Sequence, residues 1–293
     1  MRLTDGGLET TLIFQQAVDL PGFAAFPLLE TEAGRAQLRA YWAPFLELAG
    51  ERGIPFSVDT VTWRANRDWG AGLGYDVAGL RAANLAAARF ARHLAATLDD
   101  AVVTGVIGPR GDGYVVGDTM SPDQAASYHA PQVAALADGG VDQVALLTVT
   151  YPDEATGFLA AAAGAGVPAL ASFTVETDGL LPDGSTLRAA VERVDEESEG
   201  SSTGFMVNCA HPTHVEPALD DGPWLDRITG LRANASTMSH AELDAAEELD
   251  AGDPEDLARR YADLRDRLPN LALVGGCCGT DVRHVRAIAD AVF

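Results

Sequence analysis

The sequence predicts a (β/α)8 TIM barrel. Eight short runs rich in Val, Ile, Leu and Thr alternate with eight longer helical stretches along its whole length. No GxGxxG motif opens a helix after the first strand, which sets the barrel ahead of an open doubly wound sheet. At 293 residues and 47% hydrophobic composition the chain can bury one barrel-sized core, and no linker-like stretch divides it. Residues 1–293 therefore read as a single domain.

The first strand candidate, Leu3–Asp5, leads to a helix predicted over Glu32–Arg52. Ile54–Asp59 leads to Asp76–Thr97, where apolar residues recur at helical spacing with arginines on the other side, as a helix covering a barrel requires. Val102–Ile107 precedes Pro122–Ala137, Asp142–Val149 precedes Asp153–Ala163, and Pro168–Thr174 precedes Thr186–Glu197. Gly204–Asn208 precedes Thr213–Leu219, Ile228–Ala233 precedes Pro254–Arg267, and Leu271–Gly275 precedes Val282–Ala291. Asp or Ser opens several of these helices and can accept a hydrogen bond from a free N–H of the first turn.

Charge and composition narrow the function. With 43 acidic residues against 20 basic ones the net charge is -23, which opposes binding to nucleic acid or to an anionic membrane surface. Every basic residue is arginine, so a lysine Schiff base and a P-loop lysine are excluded. No apolar run approaches the length of a membrane span, and MRLTDGGLET lacks the regions of a secretory signal, so a cytoplasmic protein is expected. The cysteines number three, an odd count that argues for a metal or a reactive thiol and against a disulfide framework. The sequence leaves open whether the chain forms a homo-oligomer.

Barrel active sites sit where strands end and βα loops begin. Asp5, Gly6 and Gly7 follow the first predicted strand, Asn208 and Cys209 the sixth, and Gly275, Gly276, Cys277, Cys278 and Gly279 the eighth. All three cysteines thus fall on one rim. Zinc favours thiolates in tetrahedral geometry, and a catalytic site keeps its fourth position for substrate, so Cys209, Cys277 and Cys278 match in type and number. The alternatives are ordinary buried cysteines, or a closed structural site completed by His211 or His214 from CAHPTH.

These residues resemble the zinc-dependent homocysteine S-methyltransferase family, which includes betaine- and S-methylmethionine-dependent enzymes. The resemblance is carried by DGGLET at 5–10, IGPRGDGY at 107–114, SFTVETDGLLPDG at 172–184, VNCAHP at 207–212, RANAS at 232–236 and GGCCGT at 275–280. It implies a barrel with zinc on Cys209, Cys277 and Cys278, the acceptor's sulfur at the open position, and Asp5 and Gly6 at its amino-acid part, with Gly7, Thr150 and Asn208 as further substrate-binding candidates. One departure stands out: where the family has a glutamate for the acceptor's amino group, the segment reads Val149-Thr150-Tyr151-Pro152, leaving Asp153, Glu154 or Glu176 to replace it.

The expected partners are a small-molecule thiol acceptor and a sulfonium or quaternary-ammonium methyl donor. Trp63, Trp69, Phe14 and Tyr114 are candidates to line a cation site, against the default that aromatics pack. Homocysteine is the leading acceptor. A different thiol or selenol, or a non-catalytic zinc-binding barrel, is the competing expectation.

Overall fold

The computed structural model describes residues 1–293. Its strands are β1 (Arg2–Leu3), β2 (Phe56–Asp59), β3 (Ala101–Ile107), β4 (Gln143–Val149), β5 (Ala169–Phe173), β6 (Phe205–Asn208), β7 (Ile228–Ala233) and β8 (Leu273–Gly276). They pair in parallel in chain order, and β8 returns to β1 to close the barrel. The strand after each connection lies beside the previous one, which parallel pairing with a helical crossover permits.

The outer helices are α1 (Glu32–Arg52), α2 (Val77–Ala95), α3 (Pro122–Asp138), α4 (Pro152–Ala165), α5 (Leu187–Glu197), α6 (Pro212–Val215), α7 (Pro254–Arg267) and α8 (Val282–Val292). Their starts are chemically marked. Thr31, Asp76, Ser121, Thr186, Asp253 and Asp281 each accept a hydrogen bond from a first-turn N–H.

Two sequence expectations shift. The helix expected over Thr213–Leu219 shrinks to the single turn of α6 followed by a 3-10 turn at Glu216–Ala218. Pro217 is the reason: it has no N–H with which to continue the i to i−4 ladder. The first strand pairs only over Arg2–Leu3, although Thr4 N still donates to Val274 O at 2.9 Å and extends the ladder by one bond. Two short helices that were not anticipated, Arg67–Gly72 and His240–Ala245, occupy rim loops.

A cluster of 64 buried hydrophobic residues fills the layer between sheet and helices. Each fully buried Phe or Leu there contributes about 1.5–3 kcal/mol. Inside the barrel a smaller apolar plug of Val106, Ala145, Leu147, Leu170 and Met206 closes one side. The other side is polar: Ser57 Oγ lies 2.8 Å from Thr104 Oγ1, and Gln143 Nε2 donates to Thr104 Oγ1 at 3.0 Å. The interior therefore carries polar side chains of β2 to β4 on this side.

Candidate metal centre and the cavity above it

The last strand sets the floor of the site. After β8 the backbone turns sharply, with Thr280 N donating to Cys277 O at 3.1 Å and Gly279 at φ +79°, a conformation that only glycine adopts without strain. This turn lets adjacent cysteines face one point, although neighbouring residues of a strand face opposite ways. The first loop presses against it. A side chain on Gly7 would lie 2.5 Å from Cys277 O, so the close approach of the two loops requires glycine there.

Cys209 arrives from the end of β6 with φ +56°, a left-handed conformation uncommon outside glycine. Its backbone is held from both sides: N donates to Arg232 O at 3.0 Å, and O accepts from Asn234 Nδ2 at 2.9 Å. The result is convergence of Cys209, Cys277 and Cys278, whose sulfurs all lie within 4.8 Å of one another. Cys209 Sγ and Cys278 Sγ are 3.7 Å apart. Zinc–sulfur bonds of about 2.3 Å in a tetrahedron place two sulfurs roughly 3.8 Å apart, so the thiols fit such an ion with little movement.

No other His, Cys, Asp or Glu joins the group. His211 caps α6 through Nδ1, and His214 Nε2 lies 3.0 Å from Thr237 O, so neither completes a closed site. Cys277 is the thiol held well below the usual range, by the neighbouring thiols of Cys209 and Cys278 and the charge of Arg232. Beside the cluster, Asn234 Oδ1 is buried without a partner.

An ion-paired network supports this floor from beneath. Arg232 is 7% exposed and donates to Asp5 Oδ1 at 2.7 Å, to Asp59, and through Nε to Gly276 O at 3.1 Å. Tyr41 hydroxyl donates to Asp5 Oδ2 at 2.8 Å. Asp5 is pushed up to about 6 by burial, against the pull of Arg232. Its carboxylate is thus occupied within the protein. Gly6 and Gly7 line the cavity and present backbone to it.

On the far wall Tyr114 reaches over the thiols. Its hydroxyl donates to Cys209 Sγ at 3.3 Å and lies 3.7 Å from Cys278 Sγ. Its ring stacks on His240 with centroids 4.0 Å apart, while the two nitrogens of His240 sit 2.8 Å from Glu176 Oε1 and 2.8 Å from Cys209 O.

β4 bends on its way into the site. Its register against β5 shifts between Leu146 and Val149, and Thr148 sits at φ +65°, a strained position for a β-branched residue. Asn208 holds this bend: Oδ1 accepts from Thr148 N at 2.8 Å and from Ser172 Oγ at 2.6 Å, and Nδ2 donates to Thr148 Oγ1 at 2.9 Å. In consequence Thr148 lines the cavity and Thr150 does not. Asn208 lines it while acting as the brace of β4.

The three acids considered as replacements for the family glutamate all point elsewhere. Asp153 pairs with Arg193. Glu154 is 1% exposed and accepts from Arg110 N at 2.8 Å, with His129 Nε2 3.0 Å away. Glu176 is held by His240. Tyr151 takes the packing role, its hydroxyl accepting from Met120 N at 3.1 Å.

The cavity, of about 400 Å³, instead contains Glu9 and Arg64, neither of which has an ion-pair partner. Burial, with the nearby Cys277 and Asp5 adding to it, pushes Glu9 up to about 7. Both residues sit just past a predicted strand end. That position was the available signal; their lack of a partner was not readable from sequence.

Comparison with known proteins agrees with this architecture. A family model described as homocysteine S-methyltransferase matches residues 2–292. The methionine synthase of Mycobacterium tuberculosis is 34% identical over 133 residues, which cover 44% of this chain and 10% of that much longer protein. The crystal structure of the homocysteine methyltransferase MmuM from Escherichia coli is similar in fold. Its oxidized form superposes with a TM-score of 0.78 at 19% identity, covering 99% of this chain and 95% of that one. The metallated form gives 0.76 at 19% identity, covering 99% and 96%.

Proposed function

The chain belongs to the homocysteine S-methyltransferase family, and on that premise we propose that it moves a methyl group from an onium donor to the sulfur of homocysteine, giving methionine. The observation that carries this reading is the convergence of Cys209, Cys277 and Cys278 at the floor of a cavity large enough for small molecules. Cys209, Cys277 and Cys278 would hold zinc. When bound, the ion supplies Lewis acidity that keeps an incoming thiol deprotonated near neutral pH.

In the transfer, a lone pair of the acceptor's sulfur forms the new carbon–sulfur bond as the bond from methyl to the donor's cationic sulfur or nitrogen breaks. The departing pair neutralises the donor, so no general acid is needed. The protein's own work is to orient the reactants and to keep water out.

Glu9 is the carboxylate suited to the acceptor's ammonium group. It lines the cavity, feels the charge of Cys277, and has no ion-pair partner of its own. It thereby replaces the glutamate missing at Val149–Tyr151 and favours an amino-acid thiol over a plain one. Arg232 and Asn208 act at one remove, fixing the backbone of Gly276 and Thr148.

Zinc-edge absorption spectroscopy with and without homocysteine tests this, together with an assay for methionine. The expected result is a gain of one sulfur in the metal's coordination on adding homocysteine, and methionine formed only when an onium donor is present. Unchanged coordination, or methylation of simple thiols in preference to homocysteine, would overturn it.

A further inference from the structure

Behind the cavity wall, α3 and α4 enclose a carboxyl–imidazole pair. Glu154, in the first turn of α4, is 1% exposed, and His129 of α3 is fully buried. Glu154 Oε1 lies 3.0 Å from His129 Nε2, and the rings of Tyr128 and Phe158 stand nearly perpendicular to the imidazole. His129 Nδ1 has no partner, and neither residue of the pair lines the cavity. Burying polar groups with one nitrogen unsatisfied is unfavourable, so packing does not account for the pair.

What it holds is the loop after β3. The same Glu154 Oε1 accepts from Arg110 N at 2.8 Å. Gly108 N donates to Trp63 O at 2.9 Å, and Pro109 O accepts from Asn66 Nδ2 at 3.2 Å. Gly111 O accepts from Arg64 Nη1 at 3.0 Å and from Trp69 Nε1 at 3.2 Å. Each residue from 108 to 111 is thus fixed by a group outside the loop. All of these anchors but one come from residues 63–69, which follow β2. Glu154 alone pulls from the other side, where α4 follows β4.

Three residues past Gly111 the chain delivers Tyr114 to the thiols, its hydroxyl 3.3 Å from Cys209 Sγ and 3.7 Å from Cys278 Sγ. A tight turn makes the link: Asp112 Oδ1 accepts from Tyr114 N at 2.7 Å and from Val115 N at 3.1 Å. The orientation of residues 108–111 is therefore passed on to the tyrosine. Its accuracy matters, since a displacement of about 1 Å in a reacting site can cost on the order of 100-fold in rate.

We propose that Glu154 is a positioning residue: supported by His129, it holds the loop after β3 so that Tyr114 roofs Cys209 and Cys278. This deepens the methyl-transfer reading, on which the use of the roof rests.

Alkylation of the metal-free full chain by iodoacetamide, followed at Cys209 and Cys278 by peptide mass spectrometry, reads the roof directly. Tyr114→Ala should raise the rate ~10-fold, about what one hydrogen bond is worth. Glu154→Leu should raise it ~3- to 10-fold, and the double variant should react no faster than Tyr114→Ala, because residues acting through one contact are not additive. Glu154→Gln keeps an oxygen that can accept from Arg110 N and should stay near the wild-type rate. A role in stability alone lowers the urea midpoint of Glu154→Leu without changing how fast its folded chains react. Where Glu154→Leu does not fold, Glu154→Asp, which withdraws the carboxyl by one methylene, carries the same cycle.

A wild-type rate in the Glu154→Leu or Glu154→Asp variant used would overturn the proposal. So would a double variant whose rate multiplies the two single effects, or a Glu154→Gln variant as reactive as Glu154→Leu. Methionine formation from homocysteine is scored separately on the zinc-loaded wild type. Rates that follow the expected cycle in a protein that makes no methionine retain the positioning role and lose the functional reading.

Discussion

Two guanidiniums share one cavity and differ in almost every respect. Arg232 is paired with Asp5 and Asp59 and braces Gly276, whereas Arg64 is clamped by indoles and feels Asp112 only as a neighbouring charge. The first is a finished network within the protein. The second, like Glu9, lines the cavity without an ion-pair partner inside the protein. The difference separates the groups that build the site from those that face its ligands, and it gives the two sets opposite mutational signatures.

The largest effect is expected on the open side. Cys209→Ser, Cys277→Ser and Cys278→Ser should each reduce zinc from about one ion per chain to near none and abolish methionine formation, with little change in the apo protein's unfolding midpoint. Metal analysis and denaturation of each variant check this. Retention of zinc by any of them would break the comparison at its centre.

Next comes the closed network. Arg232→Met leaves two buried carboxylates facing each other and should destabilise the fold by about 3–5 kcal/mol, read from urea unfolding. A loss of activity with unchanged stability would instead place Arg232 among the ligand-facing groups.

A smaller effect is expected at Glu9. Glu9→Gln should raise the KM for homocysteine about tenfold and leave kcat nearly unchanged, as loss of a contact made equally in ground and transition states does. The charged form takes the ammonium, and Glu9 is pushed up to about 7, so wild-type kcat/KM should fall as pH drops through 7 more steeply than that of Glu9→Gln. Parallel pH profiles would remove Glu9 from the acceptor site.

The smallest effect lies outside both groups. Asp281 caps α8, and hydrogen bonds from the backbone and side chain of Arg283 hold its carboxyl below the usual range despite its burial. Its folded value is depressed, so its stabilisation is present above the unfolded value of about 3.9 and is lost as pH falls below it. Asp281→Ala should cost about 0.5–2 kcal/mol at pH 7 and less at pH 3, with methyl transfer unaffected.

Much of this molecule was legible in its sequence. Alternating strand and helix signals gave the barrel because each element's pattern is local. Cys209, Cys277 and Cys278 were legible because the chain has no other cysteines and all three follow strand ends. Less could be read where meaning depends on a partner. Asp59 meets Arg232 across 173 positions, and nothing near either residue announces the other. Arg64 and Glu9 look like ordinary loop charges until their lack of a partner is seen. Thr150 was the natural candidate beside Tyr151, but a one-residue departure to left-handed backbone at Thr148 decides which threonine reaches the cavity.

The clasp between the first and last loops bears on how the protein is made. Gly7 N donates to Thr280 O at 3.0 Å, and Gly279 N donates to Thr10 Oγ1 at 3.1 Å across 269 positions. Cys209 is synthesised 68 residues before Cys277, counting from 209 to 277, and until that stretch leaves the ribosome it has no vicinal thiols to join. The turn that carries Cys277 and Cys278 is therefore braced only once the first and last loops have met.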